Sequence, residues 1–267
     1  MKKIIASSTI AVLLIGLAST ATTVKAASQQ QSKASVIFDE RVIDVPPLDP
    51  QLPNLSNPVS PENPDGSNPN PGTGGMLSID FVSSLGFGAQ SITSSDITAN
   101  AHPQILNGQA PSSNYVQVSD QRRTKAGWTL TLQTDGQFRK ASIDPTIEGT
   151  SQEKLGDFLK GANLTFDKSM VQGFADAQSG SQPTVIQQGK FVVSTSKAIV
   201  MAAKVGQGEN TWILRFGDKT DYDTNATTET SIAKQSPITL KIPGSTIKSS
   251  DSYSTNLIWT LSEVPGN

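Results

Sequence analysis

The chain has 267 residues, a formal charge of −2, no cysteine and one histidine. Without cysteine it has no disulfides, no thiol nucleophile and no thiolate metal site, so a packed core must supply its stability. No Lys/Arg run is present to track nucleic acid or an anionic membrane; the densest basic patch is Arg122-Arg123-Thr124-Lys125, read as a solvated loop before a strand.

Lys2 and Lys3 precede an apolar run from Ile4 to Leu17, and Val24-Lys25-Ala26 fits the small-x-small cleavage rule. Residues 1–26 therefore read as a secretory signal peptide. The run is too short for a spanning helix, so no membrane span is expected. Its removal takes Lys2, Lys3 and Lys25, leaving a charge of about −5. Residues 27–45 form a short segment in which Ala34-Ser35-Val36-Ile37-Phe38-Asp39 suits a strand that would need a sheet edge for support.

Residues 46–75 hold more than half of the 16 prolines and end in Gly72-Thr73-Gly74-Gly75. Proline fixes φ and lacks the amide donor, so this stretch reads as a disordered or extended linker.

From Met76 to Asn267 the pattern is β. Strands are expected at Leu77–Phe81, Tyr115–Ser119, Gly127–Gln133, Ala162–Phe166, Lys190–Ser194, Lys197–Lys204, Thr211–Phe216, Ile238–Ile242 and Thr255–Leu261. Short strands with turn punctuation and few helices predict an all-β domain, an antiparallel Greek-key-like β-sandwich. One short helix is expected over Gln152–Ala162, where Leu155, Phe158, Leu159 and Ala162 fall at helical spacing and Thr150 with Glu153 suits a capping box; Gly156 and Gly161 weaken it.

Catalytic material is sparse. His102 precedes Pro103 in a polar stretch and reads as a loop residue. Asp221, Asp223 and Asn225 start like a calcium loop, but Ala226 and Ile232 stand where glycine and glutamate are required. Gly206-Gln207-Gly208 reads as a turn. No local motif singles out a carboxylate pair, and neither enzymatic activity, cofactor nor metal is expected. After Leu261 come only Ser262-Glu263-Val264-Pro265-Gly266-Asn267, with no sorting motif or apolar tail, so surface retention is expected to rest on binding.

Each of the three tryptophans heads a period-two apolar row: Trp128-Thr129-Leu130, Trp212-Ile213-Leu214 and Trp259-Thr260-Leu261. A buried strand explains any one of them alone. Two have a longer context. Val118-Ser119-Asp120-Gln121-Arg122 with Ala126-Gly127-Trp128-Thr129-Leu130-Thr131, and Tyr253 through Trp259-Thr260-Leu261 near the chain end, resemble the two signatures of the WxL-domain family of Gram-positive surface proteins. Gly74-Gly75-Met76-Leu77-Ser78-Ile79-Asp80-Phe81 with Phe87-Gly88 resembles that family's domain opening. The resemblance covers about residues 74–267 and extends into the proline-rich stretch.

What the resemblance implies is a secreted protein held non-covalently on the bacterial cell wall, with peptidoglycan as ligand. The candidate binding residues are Trp128, Thr129, Leu130, Trp259, Thr260 and Leu261, because aromatic faces suit sugars. Trp128 and Trp259 are expected close together at a domain edge, with Trp212 in the core. An acidic protein is poorly suited to a polyanionic wall polymer, which favours an uncharged glycan or peptide target. A second reading is a structural subunit of a surface complex, with other WxL-family and membrane-anchored surface proteins as partners. A third is a wall-active glycan hydrolase.

Overall fold

A computed structural model describes residues 30–37, 42–174, 180–222 and 236–264. The chain divides into two units, 1–40 and 41–267. In the first, residues 30–37 form no strand, and Val36 and Ile37 are exposed; Phe38 and Asp39, with which they were expected to pair up as a strand, lie outside the described residues, as does the signal-peptide region.

The second unit is built from β1 (Pro61–Glu62), β2 (Leu77–Val82), β3 (Ile97–Asn100), β4 (Ile105–Leu106), β5 (Tyr115–Asp120), β6 (Trp128–Thr134), β7 (Arg139–Lys140) and β8 (Asn163–Phe166). There follow β9 (Ser169–Gln172), β10 (Thr184–Val185), β11 (Phe191–Val193), β12 (Ala198–Ala203), β13 (Asn210–Phe216), β14 (Ile238–Ile242), β15 (Tyr253–Ser254) and β16 (Leu257–Ser262). The nine expected strands are all present, and the fold is all-β with antiparallel pairing among the described residues. Not expected were β3 and β9, of four residues each, and the two-residue β1, β4, β7, β10 and β15, all with too little alternation to stand out.

Three four-stranded sheets run in the orders β2-β5-β13-β9, β10-β12-β6-β16 and β11-β8-β14-β3. Alternation sends one face of each into a shared core. The first contributes Val116, Val118, Trp212, Leu214 and Phe216, the second Trp128, Leu130, Leu132 and Met201, and the third Leu164, Phe166, Val193 and Ile238. A satellite core of Ile97, Ala99, Leu159, Leu240 and Ile242 lies on the third sheet.

All six residues of β5 are buried, so both of its faces are covered. The second cover is the stretch read as a linker. Leu48 is fully buried against Phe81, Tyr115 and Ile213. Val59 is buried, β1 pairs with β4, and Thr73 N donates to Ile79 O at 2.9 Å. The expectation of a disordered spacer over 46–75 is thus corrected. Proline excludes these residues from a sheet interior, yet side chains and short bridges dock them on a sheet face without a continuous ladder.

The helix expected over Gln152–Ala162 is likewise absent. Gly156 (φ +82°) and Gly161 (φ +76°) are left-handed, which stops a right-handed helix on both sides of Phe158 and Leu159. Thr150 Oγ1 accepts from Gln152 N at 3.2 Å in a local turn, and Leu155 is exposed. Phe158 and Leu159 still reach the interior, from a loop.

Candidate functional site

The first tryptophan motif is assembled from inward-facing parts. Asp120, buried at the end of β5, receives both Nε (2.9 Å) and Nη2 (2.8 Å) of Arg122, whose Nη2 also donates to Gly127 O at 2.8 Å. That fork fixes the loop that carries the chain from β5 to β6. Arg123 (φ 59°) and Lys125 (φ 50°) take left-handed conformations there, and both approach Glu209, at 3.7 and 3.8 Å. Gly127 is also left-handed, and a Cβ on it would sit 2.5 Å from Ala203 O. Glycine is therefore required immediately before the tryptophan. Trp128 is fully buried, and its Nε1 donates to Gly208 O at 3.0 Å.

Neither Trp128 nor Leu130 has exposed surface with which to touch a ligand. Thr129 is nearly as covered, its Oγ1 donating to Val264 O at 2.8 Å. The expectation that these side chains form a contact face is corrected: hydrophobic burial from three sheets takes them into the core.

The second motif differs. β16 is the edge of its sheet and pairs only with β6 among the described strands. Trp259 lies opposite Leu132, Thr260 opposite Thr131 and Leu261 opposite Leu130; Thr131 Oγ1 donates to Thr260 O at 3.4 Å. All three motif residues of β16 are half-buried. Trp259 packs on Phe216 with ring centroids 6.5 Å apart at 44°. Trp128 and Trp259 share a face but not a neighbourhood, so the expected pair of adjacent rings is not formed. Trp212 is in the core, as expected, with Nε1 donating to Glu209 O at 2.9 Å.

Trp259 instead borders a groove of about 770 Å³. The apolar lining includes Leu85, Phe87, Phe138 and Trp259, with Phe87 and Phe138 edge-to-face at 6.3 Å. One wall is the segment 82–92, and the opposite rim is Lys248–Leu257, rich in Ser, Thr, Asn and Tyr. Several rim groups are held in place. Tyr253 OH donates to Gly156 O at 2.6 Å and lies 2.8 Å from Ser249 Oγ. Lys248 Nζ donates to Thr246 O at 2.7 Å.

Asp135 fixes the chain entering β16. Its carboxylate takes Arg139 Nη1 (3.0 Å) and Nη2 (2.8 Å), Thr255 Oγ1 (2.9 Å), Asn256 N (2.9 Å) and Asn256 Nδ2 (2.6 Å). The Arg139 fork, with help from the Asn256 and Thr255 donors, holds its pKa well below the usual carboxylate range. Thr255 and Asn256 thus present their backbone at the rim in one arrangement.

The remaining candidates serve elsewhere. His102 N donates to Gly86 O at 2.8 Å, which ties it to the wall behind the groove. Asp221 pairs with Lys168 and accepts from Asp218 N at 2.8 Å, while Asp223 and Asn225 lie outside the described residues. Gly206 and Gly208 are left-handed turn residues, as read. Phe87 and Phe138 gave a weak signal in sequence, since each is an isolated aromatic outside a strand.

No curated protein and no solved structure matches the chain. A family model described as "WxL domain surface cell wall-binding" matches residues 25–265, so the match takes in the 46–75 stretch that packs on the sheets. With both tryptophan motifs placed on adjacent strands and the match running over most of its length, the chain belongs to the WxL family of cell-wall-binding surface domains.

Proposed function

We propose that this domain holds a secreted protein on the Gram-positive cell wall without covalent linkage, by taking peptidoglycan into the groove beside β16. The observation that carries this is the groove's make-up: aromatic surface from Phe87, Phe138 and Trp259 below a rim of hydroxyls and amides from Ser249 to Asn256. Sugars have broad apolar faces and hydroxyl edges, which this surface matches. Trp259 is the contact residue, Thr260 and Leu261 set its strand, and Trp128, Thr129 and Leu130 act from the core. The frame reads as a Greek-key-like sandwich, supported by the shared core. Charge favours an uncharged target, because the chain is acidic overall.

Binding is favoured over hydrolysis. Glycoside hydrolysis commonly uses two carboxylates, and Asp251 is the one carboxylate among the groove residues described. Purified peptidoglycan, stripped of protein and anionic polymer, is expected to sediment the protein and release no soluble sugar. Protein remaining in the supernatant would overturn the reading.

A second reading, a subunit of a multi-protein surface complex, is favoured by one feature. The outer edge of β16 has no strand beside it among the described residues, and Ile258 is exposed there. Such an edge accepts a partner strand.

A further inference from the structure

The sheet face over β5 is built to receive an extended peptide. Gln117 and Gln121 project from β5 and its end, and each side-chain amide offers a donor and an acceptor like a neighbouring strand would. Gln121 Oε1 accepts from Ile43 N (3.1 Å) and its Nε2 donates to Ile43 O (2.6 Å). Gln117 Oε1 accepts from Leu48 N (2.9 Å) while its Nε2 donates to Pro46 O (3.0 Å) and to Asp80 Oδ2 (3.0 Å). Asp80 is held in turn by Ser78 Oγ (2.6 Å) and Ser119 Oγ (2.5 Å). Leu48 fills the pocket of Phe81, Tyr115 and Ile213 beside the Gln117 amide.

The occupant, residues 43–50, belongs to no sheet. It returns to the body through a turn at Asn54–Asn57, where Asn57 N donates to Asn54 O at 3.1 Å, and it is closed by Val59 N to Pro47 O at 2.9 Å. Leu55 on that turn and Leu52 just before it are exposed. Pro50, Pro53 and Pro58 stiffen it toward extension.

We propose that residues 43–50 are an exchangeable latch, and that this face is the interface by which one copy of the chain takes the latch of another. Opening the Asn54–Asn57 turn lets the same amide bonds and the same leucine contact form between copies, so exchange conserves every contact except the turn itself. Leu52 and Leu55, exposed within one copy, then lie on the segment that crosses between two. Pro53 and Pro58, on either side of the turn, favour the open form because proline biases the chain toward extension. On a wall, such linkage multiplies the number of bound domains per assembly, and thereby its retention.

The test uses the absence of native cysteine. Full chains carrying Leu48→Cys and, separately, Ile213→Cys are mixed, unfolded, refolded together at high concentration and oxidised. A heterodimer at least tenfold above that of a mixture carrying Leu48→Cys and Ser196→Cys is expected. The unaltered chain is followed by sedimentation over a wide concentration range. A concentration-dependent dimer that a synthetic 42–58 peptide dissolves is expected. A strict monomer that yields no specific heterodimer overturns the proposal. A monomer that binds the peptide yet never links two chains also overturns it, since the face would then be a receptor for another protein's segment.

Discussion

Trp259 stands opposite Leu132 on the neighbouring strand, four ladder positions from the place opposite Trp128. At roughly 3.3 Å per residue that is about 13 Å along the strands, too far for the two rings to form one contact surface. The two motifs therefore divide the work, with one tryptophan closing the core and the other reaching the groove.

Replacing Trp128 by alanine is expected to cost about 3–5 kcal/mol, because the ring is fully buried and its Nε1 leaves Gly208 O unpaired. Trp259→Ala is expected to cost much less and to weaken wall binding at least tenfold. Thermal melting and peptidoglycan sedimentation of both variants distinguish them. Normal wall binding by folded Trp259→Ala would move the site elsewhere.

Gly86 lies between the groove wall and the docked 61–64 stretch, and a Cβ there would come within 2.7 Å of Pro64 Cβ. Gly86→Ala is expected to push these two segments apart and reduce peptidoglycan affinity several-fold while the melting temperature falls by only a few degrees. Unchanged affinity would show that Pro64 does not position the groove.

A chain beginning at residue 76 loses Leu48, Val59 and β1 from the compact unit. One fully buried leucine alone is worth about 2–5 kcal/mol on truncation to alanine. At about 2–4 °C per kcal/mol for a domain of this size, it should melt at least ~5 °C below a chain beginning at residue 42. Equal melting temperatures would restore the spacer reading.

Acid should loosen the chain entering β16. The Asp135 carboxylate has a folded pKa below its unfolded value near 4, so its contribution is complete above that value and is lost as pH falls through the folded one. Asp80 works in the other direction. Burial raises its pKa, so its contribution is fully present below about 4 and is lost as pH rises through the raised value. Asp135→Asn is expected to melt lower than the parent chain at pH 7, with the gap narrowing below about pH 4. A gap independent of pH would mean that the Arg139 fork adds nothing beyond the neutral hydrogen bonds.

The β class, nine of the strands and the family were legible in the sequence because period-two alternation and Trp-Thr-Leu repeats are local properties of the chain. The turns at Gly206 and Gly208 were legible for the same reason. Three things were decided only by tertiary structure. Residues 46–75 dock because Gln117 and Leu48, 69 residues apart, meet across a sheet face, and proline content says nothing about such a partner. The loop at Phe158 keeps its helical spacing without a helix, because left-handed Gly156 and Gly161 turn the chain while burial holds the aromatic ring. Alternation places Trp128 and Trp259 on one face, but how much of each ring is covered depends on strand order. Trp128 lies on β6, between β12 and β16, whereas Trp259 lies on the edge strand, where one side of the ring meets the groove.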